Sequence, residues 1–316
     1  MEIRSAPDSA FLFKPVCDIY GKRLALVFGN EFTNGECPFY TARQCSHCDI
    51  GAGEGKRFSF DLNAERLEFF KQYYMDVLPS VAHLVIYNSG SVLNLKEMSR
   101  DTLKNILTYA SSLSNCRVIS LDSREQFITN NSLEYLLANI RADQEPRVIL
   151  GVESQSDEIR IGKLNKRMTK KDIELVFSVI GKYQGKIGVD VNIVFQAPEL
   201  RGRAAIQDSI NTLTYGLELG KKYDVSVDFN FHPYYPSKKS KEMYHLHPRA
   251  NLQDAKTTLV KMKQEIDRFD HTSHIFVGWQ DESHDQEQTT KQSELVREID
   301  VFDNFNFSQR VSYLVS

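Results

Sequence analysis

Short, nearly continuous apolar runs alternate with longer amphipathic stretches along most of this chain. That alternation limits the folds open to it more than any other feature. The runs fall at residues 24–28 (LALVF), 83–87 (HLVIY), 117–121 (RVISL), 147–152 (RVILGV), 188–195 (GVDVNIVF) and 225–231 (VSVDFNF). Strands buried on both faces read this way. Between them, apolar residues at helical spacing predict helices over 62–78, 99–113, 131–140, 169–183 and 204–222. Thr169 stands where the fourth of these needs an N-cap. A further helix over 252–269 and a strand over 274–278 follow. Six β-then-α units predict a parallel sheet with helical crossovers, either an open doubly wound sheet or a β/α barrel. In both, chemistry collects at the carboxyl ends of the strands.

Composition narrows the class. The chain has 316 residues, 39 Lys+Arg against 42 Asp+Glu, a net charge of −3 and 41% hydrophobic residues. This is a globular composition with material for a sizeable core, and it excludes a disordered tail, a collagenous repeat and a disulfide scaffold. The near-neutral balance argues against broad electrostatic binding of nucleic acid. No apolar stretch has the length of a membrane span, and the first residues do not read as a secretory signal. A cytoplasmic location is therefore expected, with no membrane partner. Five cysteines are present, three of them within residues 37–48. In a reducing compartment, clustered thiols are more often metal ligands than disulfides.

Those three form the arrangement Cys37-x7-Cys45-x2-Cys48, directly after the first predicted strand, with His47 inside the last pair. Two metal chemistries suit them. A structural zinc ion usually takes four ligands, and His47 or the distant Cys17 would have to complete the set. An iron–sulfur cluster held by three thiolates keeps one iron open to an outside ligand. Cys17 and Cys116 read as small buried hydrophobes.

The segments at the ends of the later strands carry a second pattern. After strand two stands Tyr87-Asn88-Ser89-Gly90-Ser91-Val92-Leu93, and after strand three Leu121-Asp122-Ser123-Arg124-Glu125. After strand four come Gly151-Val152-Glu153-Ser154-Gln155 and then Leu164-Asn165-Lys166-Arg167-Met168-Thr169. Strand five ends in Phe195-Gln196-Ala197-Pro198-Glu199 and strand six in Phe231-His232-Pro233. This ordered series, over residues 24 to 232, resembles the radical S-adenosylmethionine (radical SAM) superfamily. The x7 gap departs from that superfamily's common C-x3-C-x2-C. It resembles the group around the radical subunit of archaeosine synthase, in the wider Elongator-catalytic-subunit branch. The strand-two segment is similar to the motif that receives the SAM amino group. The strand-three segment is similar to V-E-S-R-P, with Asp122 one methylene shorter than the usual Glu. The two segments after strand four are like G-L-E-S and I-N-K-G-F-T.

The resemblance implies an α/β fold, a partial (β/α)6 TIM-type barrel over 24–235. A lead-in over 1–23 precedes it, and an extension over 236–316 covers it. It implies a [4Fe–4S] cluster on Cys37, Cys45 and Cys48. It also implies SAM held by His47, Ser89, Gly90, Ser91, Asp122, Arg124, Glu153, Gln155 and Lys166, with Lys166 toward the SAM carboxylate. The chemistry agrees, because SAM needs a hydroxyl and carbonyl cradle, a cation and a carboxylate for its ribose. The implied activity is reductive cleavage of SAM to a radical that takes hydrogen from a substrate, fed by a flavodoxin- or ferredoxin-like electron donor. The substrate is a tRNA base or a small metabolite; a zinc-binding β/α protein is the non-radical alternative. A basic, aromatic stretch from Tyr234 and Tyr235 to His247 would suit an anionic substrate, and an acidic stretch over 279–285 holds the lone Trp279.

Overall fold

The computed structural model describes residues 12–33, 36–48, 60–235, 249–269, 272–278 and 292–315. The strands are β1 (Val16–Asp18), β2 (Gly21–Phe28), β3 (Val81–Asn88), β4 (Val118–Asp122), β5 (Glu145–Glu153), β6 (Gly188–Phe195), β7 (Val227–Pro233) and β8 (Ile275–Val277). They form one sheet in sequence order. From β2 to β8 every neighbouring pair is parallel, and β1 folds back antiparallel on β2. The six expected strands are all present, the further one expected over 274–278 forms β8 at one edge, and the sheet gains β1 at the other.

The helices are α1 (Pro38–Thr41), α2 (Phe60–Tyr73), α3 (Arg100–Ser112), α4 (Asn130–Ala138), α5 (Lys170–Gly181), α6 (Gly202–Tyr223), α7 (Leu252–Phe269) and α8 (Gln292–Ser308). Their apolar faces close on the outward strand residues in one large core that includes Leu84, Ile86, Leu103, Ile119, Phe177 and Leu213. Thr169 does cap α5, its hydroxyl accepting from Asp172 N. Helix α2 stops at Tyr73, short of the expected residue 78, in a run of turns before Pro79. The sixth predicted strand slides two residues later, to Val227–Pro233.

Inward residues stack in layers. The lowest is a ring of polar side chains at the amino ends of the strands, and Arg147 of β5 is its hub with no solvent exposure. Its Nε lies 2.6 Å from Asp190 on β6, and its other nitrogens lie 3.1 Å from Asp228 on β7 and 2.5 Å from Glu145. Asp190 also accepts from Ser120 Oγ of β4 at 2.6 Å, and Ser120 lies 2.8 Å from His83 Nε2 of β3. His83 Nδ1 is 2.6 Å from Asp18 of β1. Arg23 of β2 lies 3.9 Å from the ring centre of Phe276 on β8. Burial opposes the charge of Asp228, but Arg147 holds its carboxyl down at about 2. Above the ring, Phe13, Ala25, Val27, Val85, Tyr87 and Ile149 make a small apolar layer. Phe13 comes from the lead-in and is buried in this layer.

The sheet edges are managed by α8, which packs on both β1 and β8. Two of its carboxamides stand in for a missing strand. Asn306 accepts from Val277 N at 2.7 Å and donates to Val277 O at 3.1 Å. Gln309, just past the helix end, does the same for Ile275 at 2.9 and 2.8 Å. Capping an edge in this way blunts its tendency to pair with another chain. Among the described residues, no helix is long and apolar enough to cross a membrane.

Removing the hub leaves Asp190 and Asp228 buried without their cation. Arg147→Ala is expected to cost about 3–5 kcal/mol, read from urea unfolding. A loss under about 1 kcal/mol would show that the ring does not couple the strands.

Candidate active site

The carboxyl ends of β2 to β7 surround a cavity of about 170 Å³. The loop after β2 supplies Cys37, His47, Cys45 and Cys48, and β3 supplies Tyr87 through Ser91. Asp122 and Arg124 come from β4, Gly151 and Glu153 from β5, and Lys166 from the turn beyond it. Asn192 and His232 close the far wall from β6 and β7, with Tyr234 and Tyr235 at its rim. Every residue expected at the SAM or metal site lines this cavity except Gln155. Gln155 turns away, its backbone N donating to Thr212 Oγ1 and its side chain accepting from Lys170.

The cysteine loop is short of regular structure, so hydrogen bonds to a second loop hold it. Cys37 begins the single turn of α1. Cys45 N and Ser46 N donate to the carbonyls of Asn165 and Leu164, and Asn165 Nδ2 returns a bond to Arg43 O at 2.8 Å. Cys45 takes a left-handed φ of 51°, as does Arg43 at 56°. Non-glycine residues in that region are uncommon and cluster where function holds them. Arg124 binds this assembly together. Its guanidinium lies 3.9 Å from the ring centre of Phe39, 3.5 Å from Cys45 Sγ, and donates to Lys166 O at 2.7 Å. Burial works against its charge, yet Cys45, Glu125 and Cys37 hold it cationic. Burial pushes the Cys37 thiol up to about 11.

Glu153 and Lys166 form the electrostatic centre. Lys166 Nζ lies 2.5 Å from Glu153 Oε1, and His47 Nε2 lies 3.5 Å from the same oxygen. Burial disfavours both charges. Lys166 and His47 nonetheless hold Glu153 well below the usual carboxylate range, and Glu153 with Cys45 raises Lys166. Glu153 sits at φ 63°, after an irregularity in the β5–β6 register. Gly151 makes the pair possible, because a Cβ there would stand 2.0 Å from Lys166 Nζ. A π-helical turn over Glu158–Lys163 leads into Lys166, and buried Arg160 clamps it by donating to Ser154 O and Met168 O, each at 2.6 Å.

Sequence reading passed over several residues that shape the site. Glu97 is buried, accepts from Ser91 N at 2.7 Å and from Asn94 at 2.6 Å, and its carboxyl is raised by burial. It is what Gly90 makes room for: a Cβ on Gly90 would meet Glu97 Oε2 at 1.6 Å. Ser89 Oγ accepts from Asn30 N, so the Ser-Gly-Ser turn is bound on both sides. Arg124 pairs with Glu125. Cys116 is buried as expected, whereas Cys17 is exposed on β1, contrary to its reading as a buried hydrophobe. Among the described residues, no three His, Cys, Asp or Glu side chains are grouped to hold one metal ion. Residues 236–248 and 279–285, with their basic and acidic stretches, lie outside the described residues.

No protein-family model matches the chain. It is 27% identical over 135 residues to an uncharacterized protein of Methanocaldococcus jannaschii, covering 43% of this chain and 36% of that one. In three dimensions it is similar to SuiB of Streptococcus suis, with a TM-score of 0.50 and 11% identity, over 84% of this chain and 50% of SuiB. At that identity the likeness is one of fold alone. An archaeal Elp3 from Methanocaldococcus infernus scores 0.48 at 10% identity, over 80% of this chain and 55% of Elp3. The chain thus spans about a third of the curated relative and half of SuiB.

Behind the cavity, Asp208 of α6 accepts from Ser154 Oγ at 2.7 Å while its Oδ2 has no hydrogen-bond partner. Burial pushes this carboxyl up from 3.8 to about 6. A raised acid favours the fold fully below its unfolded value and loses that contribution as pH rises through the folded one. Wild type should therefore lose stability relative to Asp208→Asn between about pH 4 and pH 6, with a level difference outside that window. Thermal unfolding across pH tests this, and a constant difference from about pH 4 to about pH 8 contradicts it.

Proposed function

We propose that this chain is a radical SAM enzyme whose cavity binds a [4Fe–4S] cluster through Cys37, Cys45 and Cys48, with SAM beside it. The observation that carries the reading is that three thiols separated by seven and two residues line one cavity with Arg124, Lys166 and Glu153. The donor set fits such a cluster. None of the three cysteines is in a disulfide, and Arg124 reaches within 3.5 Å of Cys45 Sγ. When bound, the cluster supplies the electron that cleaves SAM to methionine and a 5′-deoxyadenosyl radical, which takes hydrogen from the substrate.

The chain's own residues bind and orient. Lys166 donates one of its three hydrogens to Glu153 and keeps the others for the SAM carboxylate. Ser89 to Ser91, braced by Asn30 and Glu97, present backbone to the amino group. Asp122, at the end of β4, is the carboxylate for the ribose hydroxyls. Burial of Lys166 and Glu153 keeps water from weakening the pair. The electron donor is a flavodoxin- or ferredoxin-like protein. For the substrate, a small molecule is favoured over tRNA. The chain has no basic surplus, and binding carried by phosphate contacts would weaken steeply with salt. Salt-sensitive binding of bulk tRNA would reverse that preference.

The reading is tested by anaerobic reconstitution with iron and sulfide, followed by dithionite and SAM with assay of 5′-deoxyadenosine. Alanine at Cys37, Cys45 and Cys48 together should remove both the brown chromophore and SAM cleavage; retention of both refutes the assignment. Gly151→Ala, which drives a Cβ against Lys166, should keep the chromophore and weaken SAM binding about tenfold or more, the effect of roughly 1.4 kcal/mol.

A further inference from the structure

Several charged groups at the cavity are matched within the protein. Lys166 holds Glu153, Arg124 holds Glu125, and Glu97 holds the Ser91 amide and Asn94. Asn88 is different. It ends β3, lines the cavity and is 1% exposed, yet neither its Oδ1 nor its Nδ2 has a hydrogen-bond partner. Buried amides are nearly always satisfied, because an unmatched donor and acceptor each forfeit their hydration. Across the cavity, Asn192 has its Oδ1 occupied by Asn230 Nδ2 at 2.9 Å, which leaves its own Nδ2 as a donor on the wall.

A side-chain amide with both atoms open is complementary to one kind of edge, a donor beside an acceptor on an uncharged planar group. Carboxamides and lactams carry it, and so does the amino-and-ring-nitrogen edge of adenine, which asparagine binds in bidentate fashion. A carboxylate or phosphate offers acceptors alone and would set an oxygen against Oδ1.

We propose that Asn88 recognises an uncharged donor–acceptor edge of the molecule bound in this cavity, with Asn192 as a second donor. The proposal rests on the reading of the cavity as the SAM and substrate site. It identifies the recognised group as amide-like and not anionic. The edge comes either from the adenine of SAM or from an amide-type group of the substrate.

The test uses nuclear magnetic resonance on the full chain, with the side-chain amide signal of Asn88 assigned by its loss in Asn88→Leu. Titration with acetamide should shift that signal saturably, and acetate should not. No shift with acetamide, or an equal shift with acetate, overturns the proposal. Removing two unmatched polar atoms should also leave the Asn88→Leu thermal midpoint at or above wild type; a folded variant with a lower midpoint overturns it as well. S-adenosylhomocysteine then separates the sources. If it abolishes the acetamide response, the edge is adenine; if it binds and the response persists, the edge belongs to the substrate. If it shifts no signal anywhere while acetamide still shifts Asn88, the SAM reading fails and this proposal stands.

Discussion

A guanidinium shut away from water sets the terms for the rest of this molecule. Arg147 cannot lose its charge, so the strands around it must bring carboxylates to meet it. Asp190 and Asp228 do so from β6 and β7, and Ser120, His83 and Asp18 carry the chain of contacts on to β4, β3 and β1. A one-residue slip in any of these strands would turn its polar residue outward and leave a partner stranded. The ring therefore works as a register lock at the amino ends. Strand lengths then fix where each carboxyl end stops, and those ends are the cavity walls.

The same economy of charge governs the upper face. Lys166 and Glu153 are deeply buried ions and Arg124 is half-buried, each held by a partner and each placed by a loop that could not keep its shape alone. Left-handed residues at Cys45, Glu153, Asn165 and Arg167 show how much local preference is overridden there. The two loops bind each other through Cys45, Ser46 and Asn165, so the thiols and the ion pair form one rigid unit. The amides of Asn88 and Asn192 add uncharged groups to the cavity wall. That leaves Lys166 as an anchor for one carboxylate and gives the far wall a different chemistry.

The strands of the barrel were legible because both of their faces are buried, which writes the same apolar run six times. The edge strand β1 was harder to read than β8. β1 is three residues long with an exposed Cys17, and its pairing with β2 comes from tertiary contact more than from pattern. Cys37, Cys45, Cys48, Ser89 to Ser91, Glu153 and Lys166 announced themselves by spacing and by their place after a strand. Glu97 and Asn88 did not. Glu97 lies six residues beyond the turn it supports, and the place of Asn88 in the strand-two segment gives no sign that both of its amide atoms stay open.

By itself, then, the sequence determined the alternation of elements, the parallel sheet and the set of thiols, because hydrophobic periodicity and ligand spacing are local properties of a chain. Tertiary structure alone decided that Gln155 leaves the cavity while Asn192 enters it, that Gly90 and Gly151 serve neighbouring side chains, and that Asn306 and Gln309 stand in for a strand. Each of those outcomes depends on which groups meet across long sequence separations once water is excluded, and no local pattern encodes that meeting.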